Sequence, residues 1–519
     1  MSAMHPAAQT ATLATRFASF AAALDPVAIP GPVYAHAKLC VLDSIGVALA
    51  ARDYPFCQSA LRTAQELGGP GDAVVFGEAQ GMPLRDAMLA NGILIHSLDF
   101  DDTHAASVVH CSASALPVAF NLGYQRGASG RTALASYILA IEVDARIGEV
   151  ARGSLQRRGF HPTGIVGAFG AATGAAYLRG LTAEQHRNAL GIVLSFASGS
   201  MEFVSDGAWT KRLHPGWAAV SGFTAATFAG QGFIGPARAF EGNFGLFKTL
   251  LGPDHPFDCD TLAADLGADW RTLGMTFKPY PACHFNHAFA DCALHLKATH
   301  DLKAEDIVAV EALVHPDQVA IVCEPEAQKQ RPQNAYEAQF SVPWIVANAL
   351  VRGRFTLDEL EPSALTDQAV LALAARVSHA PDPDSCYPRY FSGGLIVTTR
   401  SGVRLRHHLP AHRGSDALPL SRDDVIEKFM TNACRVLSEE RTRSASTGRI
   451  PARRTEAAAE PCNSLRTRAC SIAEPLPHAR PACSGESNTA WCCWAPFWSP
   501  PQPAQSASAK RKRTSLPHC

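Results

Sequence analysis

The densest group of potentially catalytic side chains lies in NGILIHSLDFDDTHAASVVHCSAS, residues 91–114. Asp99, Asp101 and Asp102 fall within four positions, with His and Thr residues beside them. Carboxylates this close repel one another unless each is paired or they share a bound cation. One interpretation is a Mg²⁺ cluster, as in Asp-rich motifs of all-α prenyl-diphosphate enzymes, but the second Asp-rich motif or Asn/Ser/Glu triad that should accompany it is missing from the sequence. The alternative is a capped helix end with solvated carboxylates.

Cationic side chains form a second group. Lys211, Arg212 and His214 occupy four positions of DGAWTKRLHPGWAA, residues 206–219, and two tryptophans flank them. The tryptophans predict partial burial, and buried cations need anionic partners, either protein carboxylates or a ligand. His161 lies next to Pro in GFHPTG, at the start of a Gly-rich helix, and is expected at a junction between elements. These residues therefore predict an anion-binding site.

A third motif is FKPYPACHFNHAFADCA, residues 277–293. Lys278 precedes a Pro-punctuated loop, and Cys283, His284 and His287 then lead into a helix. A zinc site would need the spacing HExxH or paired Cys, and neither is present, so the sequence predicts no metal site.

Several function classes find no support. The sequence has neither GxGxxG nor GxxxxGK[ST] nor GxSxG, which leaves a nucleotide or nicotinamide cofactor unsupported, and no cofactor is predicted. The 46 Lys and Arg residues balance 47 Asp and Glu, which gives no sign of a nucleic-acid partner.

The scattered cysteines lack CxxC, and the N-terminus lacks a basic-then-apolar signal, so the cytoplasm is the expected compartment. The uncharged stretches 162–178 and 215–237 are rich in small residues and predict tightly packed core helices, with no membrane association.

The pattern along the chain predicts a mainly α protein with a smaller α+β domain. Its 519 residues are 47% hydrophobic and 18% charged, enough apolar side chain for about two or three domains. Residues 11–272 show helical periodicity and predict a large all-α domain. Alternation near 306–316 and 395–409, around a helix at 336–352, predicts an inserted α+β lid domain over 273–408. Helix returns over 409–440 and is expected to rejoin the first domain.

The last part of the chain, 441–519, differs in composition from the rest. It has 12 Lys and Arg against 4 Asp and Glu, ten Pro, and six Leu, Ile, Val or Phe. Such a segment cannot bury enough apolar surface to offset its ordering entropy. Because helical periodicity ends at Glu440, we interpret residues 441–519 as a frameshift-like or disordered tail without function.

Five segments together resemble the MmgE/PrpD family, which includes 2-methylcitrate dehydratase and cis-aconitate decarboxylase. They are NGILIHSLDFDDTH, GFHPTG, KRLHPGWAA, FKPYPACHFNH and SRDDVIEKF, in the family's order, and the resemblance covers about residues 11–440. It implies a helical domain with a lid domain, a C-terminal return to the helical domain, and a homodimer.

The resemblance also implies roles for individual residues. Two groups can be distinguished, those expected to act on the substrate chemically and those expected to bind it. The catalytic group is Asp99, His110, His161 and Lys211, and the substrate-binding group is Thr103, Lys278 and Cys283. Position 283 is His in some decarboxylating members, and the stretch after His110 reads HCS here, where the family often has HPS.

The family's substrates are di- and tricarboxylates, which need cations to bind and acid/base groups to move a proton. We therefore expect a cofactor-independent lyase, and prefer a hydro-lyase of the 2-methylcitrate dehydratase type because position 283 is Cys. The alternatives are a cis-aconitate decarboxylase-like carboxy-lyase, an epimerase, or an inactive or merely carboxylate-binding product. The expected partner is a small-molecule carboxylate.

Overall fold

A computed structural model describes residues 11–151, 153–387 and 389–447. Helices dominate this part of the chain. The α-helices of its first half are α1 (Leu13–Ala23), α2 (Gly31–Ala51), α3 (Pro55–Gly68), α4 (Leu84–His96), α5 (Cys111–Gln125), α6 (Gly130–Ala151), α7 (Ser154–Arg157), α8 (Pro162–Leu178), α9 (Ala183–Val193), α10 (Phe203–Asp206), α11 (Thr210–Gly230) and α12 (Cys259–Ala264). Those of the second half are α13 (His287–His300), α14 (Pro316–Val322), α15 (Glu326–Gln330), α16 (Ala335–Gln339), α17 (Val342–Arg352), α18 (Gln368–Ala374), α19 (Arg422–Ala433) and α20 (Glu439–Thr447).

Strands are few and short, and single helical turns connect several elements. The strands are β1 (Thr103–His104), β2 (Met275–Thr276), β3 (Ile307–Val314), β4 (Val377–Pro381), β5 (Gly393–Thr399) and β6 (Arg404–Leu409). The 3₁₀ turns are Pro26–Ala28, Arg271–Gly274, His284–Asn286, Ala304–Asp306, Leu357–Leu360 and Ala364–Thr366, and Phe247–Leu251 is a π-helical turn. The fold is thus mainly α with a smaller α+β portion, as the sequence predicts.

Helix α8 lies at the centre of the helical part and packs against α5, α6 and α11. Sixteen of its residues are buried, and its glycines allow close approach. A Cβ at Gly167 would lie 2.5 Å from the Ser114 hydroxyl oxygen of α5, and one at Gly170 would lie 2.4 Å from Asp144 of α6. Since no larger side chain fits these contacts, the glycine run serves helix packing.

Helix α2 is largely apolar, and every residue from Cys40 to Ala51 is buried. By length and composition it is the one helix among the described residues that could cross a membrane, and 78% of its most apolar window is buried in the structure. It packs against α4 and, near the end of the described chain, against α19. Helix α11 differs, because one face is buried while Trp217 and Phe228 are exposed.

The later part of the chain forms a four-stranded sheet in the order β4-β3-β5-β6. Strand β3 pairs parallel with β4 and antiparallel with β5, and β5 pairs antiparallel with β6 through the turn at Ser401 and Gly402. The hairpin therefore forms where the alternation predicts it. Helix α13 covers β5 and β6, and α17 packs on α13. The single helix predicted over 336–352 is two helices, because the Ser341 side chain caps a new one at the Trp344 N–H.

The C-terminal elements differ from the predicted ones at two points. Residues 412–420 are not helical, and α19 begins only at Arg422, where Ser421 caps it. Helix α20 continues to Thr447, so the predicted end of helical structure at Glu440 is wrong. It lacks a Leu/Ile/Val stripe and is stabilised in part by an i,i+4 ion pair, Glu439 to Arg443, which apolar periodicity does not detect. The remaining residues of the predicted tail, 448–519, lie outside the described residues.

Candidate active site

Three helix N-termini meet at one cavity of about 930 Å³. His110 directly precedes α5, His161 directly precedes α8, and Lys211 lies in the first turn of α11. All three residues line the cavity. The N-terminal end of a helix carries partial positive charge and unpaired N–H groups, so this arrangement favours an anion.

Asp99 lies in the loop after α4 and pairs with two lysines. Its Oδ1 is 2.8 Å from Nζ of Lys211 and 3.0 Å from Nζ of Lys278, which also donates to the Asp99 carbonyl at 2.7 Å. Burial alone would raise the pKa of Asp99, but the two ammonium groups lower it below its ordinary value. Asp99 also has a φ of 51°, a conformation that non-glycine residues rarely adopt and that the surrounding contacts must hold in place.

Asp101 pairs with histidines. Its Oδ2 lies 2.8 Å from Nδ1 of His96 and 3.3 Å from Nδ1 of His110. Burial would raise the pKa of Asp101, and His110 and His96 together lower it well below its usual range. His96 donates from Nδ1 to this carboxylate, and burial lowers its pKa to about 4, so its imidazole is neutral.

Asp102 has a different environment. Burial and the nearby Asp43 raise its pKa well above the ordinary range, and it accepts a hydrogen bond from Ser112. Burial therefore favours the protonated form of Asp102, whereas the partners of Asp99 and Asp101 favour the ionised forms of those two side chains. The expectation of solvated carboxylates is wrong, because all three side chains are buried. Their mutual repulsion is reduced because each carboxyl group has its own partners.

The tautomer of His110 is determined by its contacts. Nδ1 lies 3.0 Å from the Asp102 carbonyl oxygen, which can only accept, so Nδ1 carries a proton. In the neutral imidazole, the lone pair is then on Nε2. Thr103 supports the ring with its hydroxyl 3.2 Å from Nδ1. His110 lines the cavity, and its Nε2 is the ring nitrogen that can accept a proton.

His161 contacts a second histidine, His214 of α11. Their Nδ1 atoms are 3.0 Å apart, so one donates a proton to the other. Burial, His96 and Lys211 lower the pKa of His161 well below its usual value, and burial lowers that of His214 to about 4. Both imidazoles are therefore neutral near pH 7.

Strand β1 directly follows the Asp-rich segment, and strand β2 directly precedes the motif at 277–293. The pairing of β1 with β2 therefore brings these two segments together. Thr103 pairs with Thr276, and the Thr276 hydroxyl donates to the Thr103 carbonyl at 2.7 Å. This pairing places Lys278 beside Asp99. Lys278 is buried and, with Asp99, Thr103 and Cys283, is not among the residues that line the cavity.

Cys283 lies close enough for Asp99, Lys278 and Lys211 to act on it electrostatically. Burial raises the pKa of its thiol to about 11, so the thiol is protonated and unreactive as a nucleophile at neutral pH. The structure therefore brings all seven predicted site residues into one region, three at the cavity wall and four behind it.

Two cationic residues at the cavity wall were not among the predicted site residues. Arg212 and Lys329 line the cavity, and neither forms an ion pair with any residue that the structure describes. The Arg212 guanidinium stacks 4.1 Å above Phe56 and donates to the Ser97 carbonyl, while Lys329 donates to the carbonyls of Ile321 and Phe340. Arg212 belongs to a motif that the sequence singled out, whereas Lys329 lies in the polar segment EPEAQKQRPQN, which carries no recognisable signal.

Comparison with known proteins agrees with this geometry. Residues 15–258 match the MmgE/PrpD N-terminal domain, and residues 280–448 match the MmgE/PrpD C-terminal domain. The chain belongs to the MmgE/PrpD family. The C-terminal match extends to the end of α20, which again shows that the family-like region does not stop at residue 440.

Relatives with assigned reactions are lyases. The chain is 28% identical over 425 residues to human cis-aconitate decarboxylase, covering 78% of this chain and 84% of the relative. It is 26% identical over 440 residues to the cis-aconitate decarboxylase-like protein oryM of Aspergillus oryzae, covering 80% and 90%. It is 25% identical over 438 residues to 2-methylcitrate dehydratase of Cupriavidus necator, covering 78% and 87%. These relatives support a lyase.

Proposed function

We propose that this MmgE/PrpD protein is a cofactor-independent lyase that removes a proton next to a carboxylate of a di- or tricarboxylate. The observation that carries the proposal is the cavity wall, which Arg212 and Lys329, without ion-pair partners among the described residues, share with Lys211 and His110. A substrate with two or three negative charges needs such cations, and water exclusion strengthens each contact. The converging helix N-termini add to the positive potential.

His110 is the proposed base. Its Nε2 lone pair accepts the proton from the substrate carbon, and Asp101, 3.3 Å from Nδ1, stabilises the resulting imidazolium. The negative charge that remains on the substrate is delocalised into its carboxylate, which Lys211 and Arg212 hold. His161 is the second candidate for proton transfer, since its imidazole is neutral and also lines the cavity.

For the bond that breaks, we propose carbon–oxygen cleavage. The imidazolium of His110 returns its proton to the departing hydroxide, so that water leaves and a carbon–carbon double bond forms. Cys283 supports this choice, because some decarboxylating family members have a His there and the neutral Cys283 thiol is a poor proton donor to carbon. Two of the three relatives named above, the human and the Aspergillus oryzae proteins, favour a second candidate, in which carbon dioxide leaves and the carbon is protonated.

Assays with a panel of di- and tricarboxylates test both the general proposal, a lyase, and the specific one, a hydro-lyase. We expect 2-methylcitrate or citrate to lose water to give an alkene, detected by ultraviolet absorbance and NMR, in protein treated with a chelator. Release of carbon dioxide from cis-aconitate without dehydration of either hydroxy acid would replace the hydro-lyase by the carboxy-lyase. No turnover of any di- or tricarboxylate by folded protein would contradict the lyase proposal itself.

The role of Lys329 can be tested by separating binding from chemistry. Lys329→Met removes a charge at the cavity wall, so we expect KM for the substrate found in the panel to rise roughly 10- to 100-fold, by analogy with charged hydrogen bonds of about 1.5–3 kcal/mol. Lys329→Arg should retain most of the affinity, and Lys303→Met, on the surface, should change nothing. Unchanged KM in Lys329→Met would exclude the residue from substrate binding.

We also propose that the partner of α11 is a second copy of this chain. Trp209, Leu213 and Trp217 recur every four residues along the helix, and 43–52% of each is exposed, with Phe228 further along the same helix. Apart from His214, the segment 213–237 contains no ionisable side chain. Exposed apolar side chains on a segment without charged groups are typical of a subunit interface, and the family resemblance implies dimers.

This dimer proposal predicts the effect of one charge on association. Trp217→Glu should convert the chain from dimer to monomer in sedimentation equilibrium at micromolar concentration, because a carboxylate would be buried without a partner. Val403→Glu, at an equally exposed position in the β5–β6 turn, should leave association unchanged. A wild-type chain that is monomeric at all concentrations would refute the proposal.

A cytoplasmic location remains our proposal for the compartment. The nine cysteines of the described residues are all unpaired, and five of them are buried. Unpaired thiols are typical of a reducing compartment.

A further inference from the structure

Three histidines form a cluster apart from the cavity-lining residues. His284 lies in the 3₁₀ turn after Cys283, His287 begins α13, and His412 lies in the loop between β6 and α19. Their ring centroids are 5.0 to 5.6 Å apart. Each ring can place one nitrogen within 4.8 Å of a nitrogen of the other two. The cluster therefore joins two segments that are far apart in the sequence, which is why motif spacing does not reveal it.

Two of these rings have buried nitrogens without hydrogen-bond partners. His287 donates from Nε2 to the Ala282 carbonyl at 3.1 Å, which leaves the lone pair on Nδ1, and that atom is buried and has no partner among the described residues. Nδ1 of His412 is likewise buried and unpartnered. Buried polar atoms in native proteins nearly always have a partner, so the missing partner for both atoms needs an explanation.

The hydrogen bond from His287 to a backbone carbonyl is typical of metal-binding histidines. A metal-binding histidine almost always donates its second ring N–H to a carbonyl or carboxylate, which fixes the tautomer and orients the ligating nitrogen. His287 has this arrangement, with Nδ1 as the free nitrogen. The phenol ring of Tyr280 and the ring of Phe391 pack around the cluster and limit solvent access.

All three imidazoles are held in the neutral form, which is the form that binds metals. Burial lowers the pKa of His284 and of His287 well below the ordinary value, and the Lys278 ammonium lowers both further. Burial lowers the pKa of His412 to about 4, with Asp416 acting in the opposite direction. Metal ions therefore face little competition from protons at neutral pH.

We propose that His284, His287 and His412 form a binding site for a divalent transition-metal ion of the Zn²⁺ type. Three neutral imidazoles match the preference of Zn²⁺ and Co²⁺ for nitrogen ligands, and a fourth position remains for water or an anion. A bound ion would link the turn before α13 to the loop before α19. The ammonium of Lys278 nearby opposes the ion's charge, so we expect micromolar affinity, well below that of a structural zinc site.

Zinc titration of the full chain, produced without a histidine tag and cleared of metal with a chelator, tests this site. Calorimetry should show one Zn²⁺ bound per chain, Co²⁺ should give the visible absorption of a tetrahedral site, and Zn²⁺ should raise the melting temperature by a few degrees. His284→Ala and His412→Ala should each weaken binding at least tenfold and abolish the thermal shift. His284 is half-buried, so its replacement is the milder test of folding.

Two matched variants identify the site. His300→Ala removes an exposed imidazole at the end of α13 and should leave Zn²⁺ affinity unchanged. His110→Ala tests the other group with metal-ligand spacing, His96, Asp101 and His110, and should also retain Zn²⁺ binding. Absence of Zn²⁺ binding to the wild-type chain would overturn the proposal, and so would loss of binding in His110→Ala with retention in His284→Ala and His412→Ala.

Discussion

Replacing His110 by asparagine is expected to lower kcat by about 10²- to 10⁴-fold, the usual contribution of a positioned acid/base group. The asparagine amide can still donate to the Asp102 carbonyl in place of Nδ1, but no nitrogen with a lone pair remains at the position of Nε2. The contacts with the substrate carboxylates are unchanged, so KM should move far less than kcat. Steady-state kinetics on the acid that the panel identifies measures both.

A neighbouring histidine provides the control for this experiment. His104 lies in the same segment, is buried, and contacts Ser107 without lining the cavity. His104→Asn should therefore cost stability and leave kcat within a few-fold of wild type. If His110→Asn retains turnover while its melting curve is normal, the base is another residue, and His161→Asn becomes the next variant to measure.

The sequence predicts much of this site because its residues are close to one another in short motifs. In three motifs, the potentially catalytic residue lies next to the start of the helix that positions it. These residues are His110 before α5, His161 before α8 and Lys211 in the first turn of α11. Pro162 and the Gly run both indicate a helix that starts there and packs closely. When a reactive side chain and a helix start lie in the same short motif, the sequence alone predicts both.

The protonation of the three acids is not readable from sequence. Lys211 and Lys278, from distant segments, lower the pKa of Asp99 against the effect of burial, and burial together with Asp43 raises the pKa of Asp102. Asp101, in contrast, is paired with His96 and His110 of its own segment. Lys278 reaches Asp99 only because β2 pairs with β1, and Asp43 of α2 raises the pKa of Asp102 across the core. The close spacing of the three acids predicts that their pKa values differ from one another. Tertiary contacts determine which pKa is lowered and which is raised.

The same limit explains the missed cation at the cavity wall. Lys329 lies in a polar segment whose composition is typical of a surface loop. Its ammonium group is held by the carbonyls of Ile321 and Phe340, two acceptors that any sequence provides. Because every residue has a backbone carbonyl, the sequence does not indicate which carbonyls will accept from a lysine. Only the fold shows that Lys329 borders the cavity.

Lys428 connects helix α19 to the loop that carries Asp99 and Asp101. Its Nζ lies 2.7 Å from Oδ1 of Asp43 and donates to the Phe100 carbonyl at 2.7 Å, and it lies 3.9 Å from the centre of the Phe100 ring. Phe100 stands between Asp99 and Asp101 in the sequence, so this buried contact helps to hold the loop that carries both acids. Helix α19 thereby contributes to the site although none of its residues lines it.

Replacing Lys428 by methionine is therefore expected to lower the free energy of unfolding by about 3–5 kcal/mol, because the Asp43 carboxylate would remain buried without its partner. Urea denaturation followed by circular dichroism measures this loss. The double variant Asp43→Asn with Lys428→Met removes both charges and should recover a large part of it, since an uncharged buried pair is often as stable as an ion pair. Arg422→Met, at an exposed position of α19, should stay within about 0.5 kcal/mol of wild type. Equal loss in the single and double variants would show that packing around the Lys428 stem, and not the charge of Asp43, determines the stability of this contact.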